Sequence, residues 1–279
     1  IEAEWKAVEG SHYWRSPLLY KENGFKEESG AKECIRYLSE QPMEGVLTGL
    51  EKKKETKNPP LLYNLAELQN DCSKMFKISP DETLKIVQEL YEKKLVTYPR
   101  TDARVLSTAV AKEISRNISG LRSFPLLSGF ASEVMENGRY QSITKTKYVN
   151  DKQITDHYAI IPTGQLTELH SLNDLQRRVY DLIVRRFLSI FYPAAEYETV
   201  KLVVQVEAEQ FFASAKALKN PGFLEIMGRP ANEDNKEEES AGLLKLAGQL
   251  KTGDPLNVDG YEIKEGKTAP PKRYTSGSM

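Results

Sequence analysis

The segment "LVTYPRTDARVLS" (residues 95–107) decides how this sequence is interpreted. A short apolar run leads to Tyr98, and Pro99 follows at once, so the chain leaves a helix or a strand at a rigid turn. Arg100, Asp102 and Arg104 come directly after this turn. The segment therefore places a phenol, two guanidinium groups and a carboxylate at one corner of the fold.

The composition is that of a soluble globular chain with room for two hydrophobic cores. It has 279 residues, of which 39% are hydrophobic and 28% are charged, and chains of this length tend to divide into domains. No apolar run approaches the roughly 20 residues of a membrane-spanning helix. The chain starts without Met, and its first residues, "IEAEWKAVEG", carry charges where a signal peptide would have an apolar run. We therefore expect a piece of a longer cytoplasmic protein that does not contact a membrane.

The cysteines and histidines argue against disulfides and metal sites. Cys34 and Cys72 lie in helix-like stretches without metal-type spacing, so buried, reduced thiols are expected. His12, His157 and His170 are scattered along the chain, which makes a zinc site improbable. The net charge of −1 argues weakly against a protein that only coats nucleic acid.

Strand-like segments occupy the two ends of the chain. Before the helix-breaking "KNPP" (57–60) we predict strands within 3–10, 16–25 and 45–56, and an amphipathic helix over 28–40. After Pro193 we predict a hairpin over 197–218 that turns near Glu209. Further strands or strand-loop pieces are predicted at 222–227, 255–266 and 270–275, with a polar loop at 229–242.

The middle of the chain is helical. Apolar residues recur at helical spacing, and Asn, Ser or Pro stands at several helix starts. The predicted helices are 64–76, 79–94, 107–118, 129–138 and 173–191. In the helix at 79–94 we place Leu84, Val87, Leu90 and Tyr91 on the apolar face.

Strands on both sides of a helical middle predict an α+β fold. We expect a discontinuous β-rich domain, residues 1–56 and 196–275, with a mainly helical domain, residues 57–195, inserted through it. Residues 276–279 would begin a following domain.

Tyr98 has two interpretations. Most tyrosines are structural, with a packed ring and a hydrogen-bonded hydroxyl. The neighbouring residues favour chemistry, because Pro99 holds the ring on rigid backbone and Arg100 can bind a phosphate with two donors. A tyrosine that attacks phosphorus needs such a cation, since negative charge grows on the phosphoryl oxygens. For Asp102, capping the turn before the helix at 107 is the favoured role.

Three other segments leave alternatives open. By itself, His157 in "TDHYAIIPTG" (155–164) is more often the pattern of a structural histidine than of a catalyst. The four arginines of "RRVYDLIVRRF" (177–187) form a solvated helix face or a track for DNA phosphates, and the solvated face is favoured for at least half of them. The bases of "TAPPKRYTSGSM" (268–279) belong to a linker or to a nucleic-acid contact.

Taken together, these segments resemble the type IA DNA topoisomerases, and in particular their topoisomerase III branch. The resemblance rests on "PPLLYNLAELQNDCSKMFKISPDETLKIVQELYEKKLVTYPRTDARVL" (59–106), "TDHYAIIPTG" (155–164), "VRRFLSIFYPAAEYE" (184–198) and "GKTAPPKRYT" (266–275), which occur in the family's order. The histidine motif more often has a second histidine where Tyr158 stands here.

The resemblance implies roles for individual residues. Tyr98 matches the nucleophile that forms a 5′-phosphotyrosyl link with single-stranded DNA, Arg100 the arginine that holds the scissile phosphate, and His157 the histidine that supports the site. The fold implied is the gate arch of the family, in which a winged-helix-like domain carries the tyrosine. Basic residues that we consider for further DNA contacts are Arg104, Arg178, Arg185, Lys272 and Arg273.

The resemblance also implies what the chain lacks. In the family, magnesium is bound by a toprim domain that precedes the β-rich segment, and a further domain grips the DNA strand after "PPKRYT". We therefore expect no cofactor in this fragment, no activity from it alone, and single-stranded DNA and the two missing domains as its partners. The alternatives are a non-enzymatic single-stranded DNA-binding module of winged-helix type and a scaffold domain without DNA contact.

Overall fold

The computed structural model describes residues 2–40, 43–228, 237–267, 269–271 and 273. The chain folds into two compact units. The β unit comprises the described residues of Ile1–Thr56, Glu196–Asn220 and Pro230–Pro270, and the helical unit those of Lys57–Ala195, Pro221–Arg229 and Pro271–Met279. An α+β fold in which strands flank a helical middle is therefore present.

The β unit is built on one five-stranded sheet with strand order β1-β6-β5-β4-β7. Its strands are β1 (Glu4–Lys6), β4 (Glu44–Lys57), β5 (Ala195–Val206), β6 (Glu209–Asn220) and β7 (Pro255–Asn257). The β5–β6 hairpin pairs in antiparallel register from Val206↔Glu209 to Glu196↔Asn220, as its alternating pattern predicts. A small hairpin, β2 (Leu19–Lys21) with β3 (Gly24–Phe25), precedes helix α1 (Glu28–Leu38).

A buried carboxylate ties the first strand of the β unit to the hairpin. Glu209 is fully buried and accepts hydrogen bonds from Trp5 Nε1 at 2.6 Å and from the Tyr13 N–H at 3.1 Å. A buried charge is tolerated only when it is hydrogen-bonded in this way. Cys34 and Val206 belong to the apolar cluster that lies around these residues.

The helical unit contains α2 (Leu65–Phe76), α3 (Pro80–Glu92), α4 (Thr108–Leu121), α5 (Ser128–Glu136), α6 (Asp174–Ser189) and the short α7 (Leu224–Met227). Single-turn 3₁₀ segments lie at Asp151–Gln153 and Leu169–Ser171, and a longer one at Arg139–Lys145. The helix starts are set by side-chain caps, because Asn64, Ser79, Ser107 and Asn173 each accept a hydrogen bond from an N–H in the first turn.

Three predictions about the second half of the chain are wrong or incomplete. Residues 222–227 contain α7 and belong to the helical unit, because the Phe223 N–H binds the Pro193 carbonyl at 3.0 Å and the side chains of Leu224 and Ile226 are buried there. Of the predicted polar loop at 229–242, residues 237–242 lie in helix α8 (Glu237–Ala247), and residues 229–236 lie outside the described residues. Leu243, Leu244 and Ala247 of α8 pack on the sheet. The strand predicted over 255–266 is limited to β7.

The end of the described chain also differs from the prediction. Residues 270, 271 and 273 are the described part of the strand predicted at 270–275, and none of them lies in a strand. Lys272 lies outside the described residues. No helix in the described part of the chain is long and apolar enough to cross a membrane.

A buried ion pair lies in the core of the helical unit. Arg186 of α6 is 6% exposed and donates to Asp71 Oδ2 at 2.8 Å, to the Tyr63 hydroxyl at 3.1 Å and to the Leu61 carbonyl at 3.0 Å. The Tyr63 hydroxyl itself donates to the same carboxylate at 2.6 Å, and burial raises the pKa of Tyr63. The arginine therefore neutralises a carboxylate inside the fold.

Replacing Arg186 by Ala should lower the free energy of unfolding by about 3 kcal/mol, because Asp71, the Tyr63 hydroxyl and the Leu61 carbonyl lose their guanidinium donor. Arg177 on the same helix is exposed, and Arg177→Ala should change stability by less than about 0.5 kcal/mol. Urea unfolding of both variants measures the difference. Equal stability of the two variants would contradict the structural role of the buried pair.

The two cysteines give a prediction about alkaline pH. Burial raises the pKa of the Cys34 and Cys72 thiols from 9.0 to about 12. The unfolded chain ionises these thiols at lower pH than the folded chain does, so their contribution to stability is complete below pH 9 and is lost as the pH rises to about 12. Cys→Ala variants of both should flatten this loss in a pH series of unfolding measurements.

Candidate active site

Two chain segments of the helical unit run side by side and build the candidate site. We call residues 94–106 the tyrosine segment and residues 157–163 the histidine segment. Val96 forms an antiparallel bridge with Pro162. The Thr97 N–H donates to the Ile161 carbonyl at 3.0 Å, and the Thr163 N–H donates to the Leu95 carbonyl at 3.0 Å. Residues 64 to 68 positions apart in the sequence are thereby paired as in a short sheet.

The tyrosine segment begins where helix α3 ends. Lys94 adopts a left-handed backbone with φ of 59°, and the Leu95 N–H binds back to the Leu90 carbonyl at 2.9 Å. The next two side chains, Leu95 and Val96, are buried. The chain is therefore anchored on the core directly before Tyr98.

Tyr98 is brought into contact with His157. The ring centroids of the two side chains are 4.3 Å apart, with an interplanar angle of 40°. On another side the ring of Tyr91 stands edge-on to Tyr98 at 5.4 Å. Within the described residues the Tyr98 hydroxyl has no hydrogen-bond partner, and its side chain is partly exposed. This is not the packed, hydrogen-bonded state expected of a structural tyrosine.

An open cleft of about 500 Å³ lies beside these rings. Its lining includes Tyr91, Lys94, Tyr98, His157 and Tyr158. Burial raises the pKa of Tyr158, which keeps that phenol protonated at neutral pH. With Glu92 in the lining as well, the cleft offers aromatic rings, one ammonium group, one carboxylate and one imidazole to a ligand beside the Tyr98 ring.

Arg100 is placed differently from the other two predicted residues. Its side chain is exposed, and it is not among the residues that line the cleft. It makes no hydrogen bond or ion pair with any described residue. Since an exposed guanidinium without a partner retains all its donors, Arg100 can still bind an anion that approaches Tyr98 from solvent.

The structure divides the arginines considered for DNA contacts. Arg104 pairs with Glu67 Oε1 at 3.2 Å and donates to the Leu62 carbonyl at 3.3 Å. Arg185 binds Asp181 Oδ2 at 2.7 Å and the Ile226 carbonyl at 2.7 Å. Because these guanidinium groups are already bound to carboxylates and carbonyls of the fold, we do not propose Arg104 and Arg185 as DNA contacts.

The remaining basic candidates are solvent-facing. Arg178 is exposed, with its guanidinium 4.5 Å from the ring centroid of Phe76. Arg273 is exposed and lies outside any helix or strand. Among the four arginines of α6, the solvated interpretation thus holds for Arg177 and Arg178, while Arg186 is a core residue, which neither interpretation of the sequence foresaw.

Two further corrections concern side chains near Tyr98. Asp102 does not cap α4, because the cap is Ser107, whose Oγ accepts from the Val110 N–H at 3.2 Å. Tyr91, predicted in the apolar face of α3, is 39% exposed and contacts Tyr98. Its place in the last turn of the helix that leads into the tyrosine segment is the only sequence signal for that contact.

The described residues contain no group of three or more His, Cys, Asp or Glu side chains that could hold a metal ion. His12 stacks on Tyr37 with ring centroids 5.6 Å apart, and His170 Nδ1 lies 2.8 Å from the Thr167 carbonyl oxygen. The described histidines other than His157 thus have local structural contacts.

Comparisons with known proteins identify the family of this chain. A family model described as DNA topoisomerase matches residues 2–279. DNA topoisomerase 3 of Bacillus subtilis (strain 168) is 36% identical over 241 residues, which are 86% of this chain and 32% of that protein. DNA topoisomerase 3 of Bacillus cereus (strain ZK / E33L) is 32% identical over 258 residues, 88% of this chain and 34% of that protein.

A solved structure shows the same fold. Full-length topoisomerase I from Thermotoga maritima superposes with a TM-score of 0.62 at 23% identity, covering 92% of this chain and 39% of that chain. The chain belongs to the type IA DNA topoisomerase family. Within that family its curated relatives are topoisomerase III proteins, and it spans about a third of their length.

The different environments of two neighbouring arginines can be tested by stability. Arg100→Ala should change the free energy of unfolding by less than about 0.5 kcal/mol, because the side chain is exposed and unpartnered in the described structure. Arg104→Ala should cost about 1 kcal/mol, because the Glu67 and Leu62 contacts are lost. Guanidinium unfolding curves compare the two, and a larger loss for Arg100→Ala would show that Arg100 is structural.

Proposed function

We propose that this chain is the part of a type IA DNA topoisomerase that carries the nucleophile. The whole enzyme would cut one DNA strand, pass another strand through the gap and reseal it. The observation that supports this most directly is the 4.3 Å contact between the Tyr98 and His157 rings beside an open cleft, with Arg100 exposed two residues further on.

In the proposed reaction, the Tyr98 oxygen attacks a backbone phosphorus of single-stranded DNA. The bond from phosphorus to the 3′ oxygen breaks, that oxygen leaves as a hydroxyl, and the 5′ phosphate stays bonded to Tyr98. Arg100 would hold the phosphate with its two-pronged guanidinium, which stabilises the growing negative charge. His157, in contact with the Tyr98 ring, would orient the phenol and donate a hydrogen bond near the phosphate.

Resealing is the reverse of this step. The 3′ hydroxyl attacks the phosphotyrosyl phosphorus, the DNA backbone is restored, and Tyr98 regains its proton. The bond energy of the phosphodiester is conserved in the link to tyrosine, so the cycle needs no external energy source for the two transfers. This symmetry suits an enzyme that changes DNA topology without changing DNA sequence.

Magnesium belongs in this proposal to a different part of the enzyme. The described residues of the chain supply no ligand cluster, so we assign the ion to a toprim domain of the whole protein. The helical unit would act as the winged-helix-like domain that carries the tyrosine, and both units together as the gate arch. The partners we propose are single-stranded DNA, the toprim domain and the strand-gripping domain.

Replacing Tyr98 by Phe tests the nucleophile. In the full-length protein that contains this chain, Tyr98→Phe should reduce covalent adducts with labelled single-stranded DNA by at least about 10³-fold, because the attacking oxygen is removed. Tyr37→Phe is the matched control, since Tyr37 also contacts a histidine ring, His12, but lies in the β unit. Denaturing gels measure the adduct.

Three other outcomes would change the proposal. Adduct formation by the Tyr98→Phe protein would show that another residue is the nucleophile. DNA binding by both variants without any adduct, even with magnesium, would favour the non-enzymatic single-stranded DNA-binding module. Relaxation of supercoiled DNA by the 279-residue chain alone would contradict the proposal that it is inactive without the toprim domain.

A further inference from the structure

The hydroxyl group of Thr97 takes part in the pairing directly before Tyr98. Its Oγ1 accepts a hydrogen bond from the Ile161 N–H at 2.9 Å and donates one to the Ala159 carbonyl at 3.0 Å. In a regular antiparallel ladder, main-chain groups would make these bonds. Here the main chain turns away at Tyr98 and Pro99, and the threonine side chain replaces it.

A second hydroxyl binds the histidine segment after Tyr98. Thr101 is 7% exposed, and its Oγ1 donates to the carbonyl of His157 at 3.0 Å. The same oxygen accepts the Ala103 N–H at 3.1 Å, which fixes the orientation of the hydroxyl. The main chain is therefore bonded to the histidine segment at Thr97 and again at Thr101. Between these two residues it runs apart from that segment, and Tyr98 is the first residue of this part.

We propose that Thr97 and Thr101 are positioning residues for strand cleavage. They act through Tyr98 and His157, and the proposal rests on the proposed function. The two hydroxyls fix the backbone one residue before and three residues after Tyr98 to the segment that carries His157. The phenol and the imidazole are thereby held at one separation although both are accessible to solvent.

The physical reason is the tolerance of an in-line attack. The attacking atom has to lie about 3–3.5 Å from its target, and a displacement of about 1 Å can cost about 10²-fold in rate. Neither ring is buried, so core packing does not fix their separation. Main-chain hydrogen bonds alone do not fix it either, because Pro99 has no N–H and its turn interrupts the ladder.

Isosteric substitutions separate the hydroxyl from the rest of the side chain. Thr97→Val and Thr101→Val keep the size and the branching but remove the hydrogen bonds, whereas Thr→Ser keeps the hydroxyl. Thr146→Val is a matched control in the same unit, because Thr146 Oγ1 also donates to a carbonyl, that of Ile143 at 2.7 Å, and also accepts from an N–H two residues on, that of Tyr148 at 3.3 Å.

The first measurement is cleavage by the full-length protein that contains this chain. At saturating single-stranded DNA, Thr97→Val and Thr101→Val should each slow single-turnover cleavage by about 10- to 100-fold. The dissociation constant for the DNA should stay within about twofold of the unsubstituted protein, because positioning acts on the rate and not on binding. Thr97→Ser and Thr101→Ser should restore most of the rate, and Thr146→Val should not lower it.

The second measurement needs no activity. The chain has three histidines, so their ring protons can be assigned in an NMR spectrum with a His157→Gln variant. The Tyr98 ring at 4.3 Å should shift the His157 signals. This shift should shrink in Thr97→Val and Thr101→Val, and should persist in Thr146→Val and in the serine variants.

Several results would overturn the proposal. One is that both valine variants cleave at the rate of the unsubstituted protein. Another is that Thr146→Val loses as much cleavage rate as the two valine variants do. A third is that the His157 signal is unchanged in Thr97→Val and Thr101→Val. If Thr97→Val does not fold, Thr101→Val and the serine pair decide the question. Cleavage by a Tyr98→Phe protein would instead mean that the proposed function itself has failed, which is a different pattern.

Discussion

The candidate site depends on the pairing of the tyrosine segment with the histidine segment. The bridge between Val96 and Pro162, and the bond from the Thr97 N–H to the Ile161 carbonyl, join parts of the chain that are far apart in sequence. A second bridge, between Tyr63 and Ile160, adds the residues just before α2 to the same structure. Without this pairing, Tyr98 and His157 would lie on separate loops and would not contact each other.

The ion pair of Arg186 and Asp71 is connected through Tyr63 to the pairing of the two segments. Tyr63 takes part in the bridge to Ile160, and its hydroxyl also binds Asp71 and Arg186. The guanidinium of Arg186 thus holds α6 to the segment that pairs with the histidine motif. A charged group in the core is costly unless it is paired, so the bonds from Arg186 Nη1 and Nη2 favour one arrangement of these segments.

Exposure divides the basic residues by task. Arg104 and Arg185 use their donors on carboxylates and carbonyls of the helical unit, whereas Arg100 and Arg178 face solvent. A phosphate can be bound only by donors that the fold has not already used. Arg100, exposed two residues after Tyr98, is therefore the basic side chain that fits the proposed chemistry best. Arg185, paired with Asp181 inside α6, contributes to stability instead.

The sequence by itself determined the local elements and the family. Caps at Asn64, Ser79 and Ser107 and regular apolar spacing fixed the helix starts, because these signals act within a few residues. The ordered motifs around Tyr98 and His157 identified the type IA topoisomerases, which the family match confirms.

Only the tertiary structure decided which side chains face each other. The sequence does not distinguish Arg186 from its exposed neighbours on α6, and an apolar hexapeptide such as residues 222–227 fits a strand or a buried helix equally well until its packing partner is known. The contact of Tyr91 with Tyr98, and the threonine bonds to the histidine segment, also join residues that no local pattern relates. Burial and hydrogen-bond partners are properties of the folded chain, because they depend on residues brought together from distant positions.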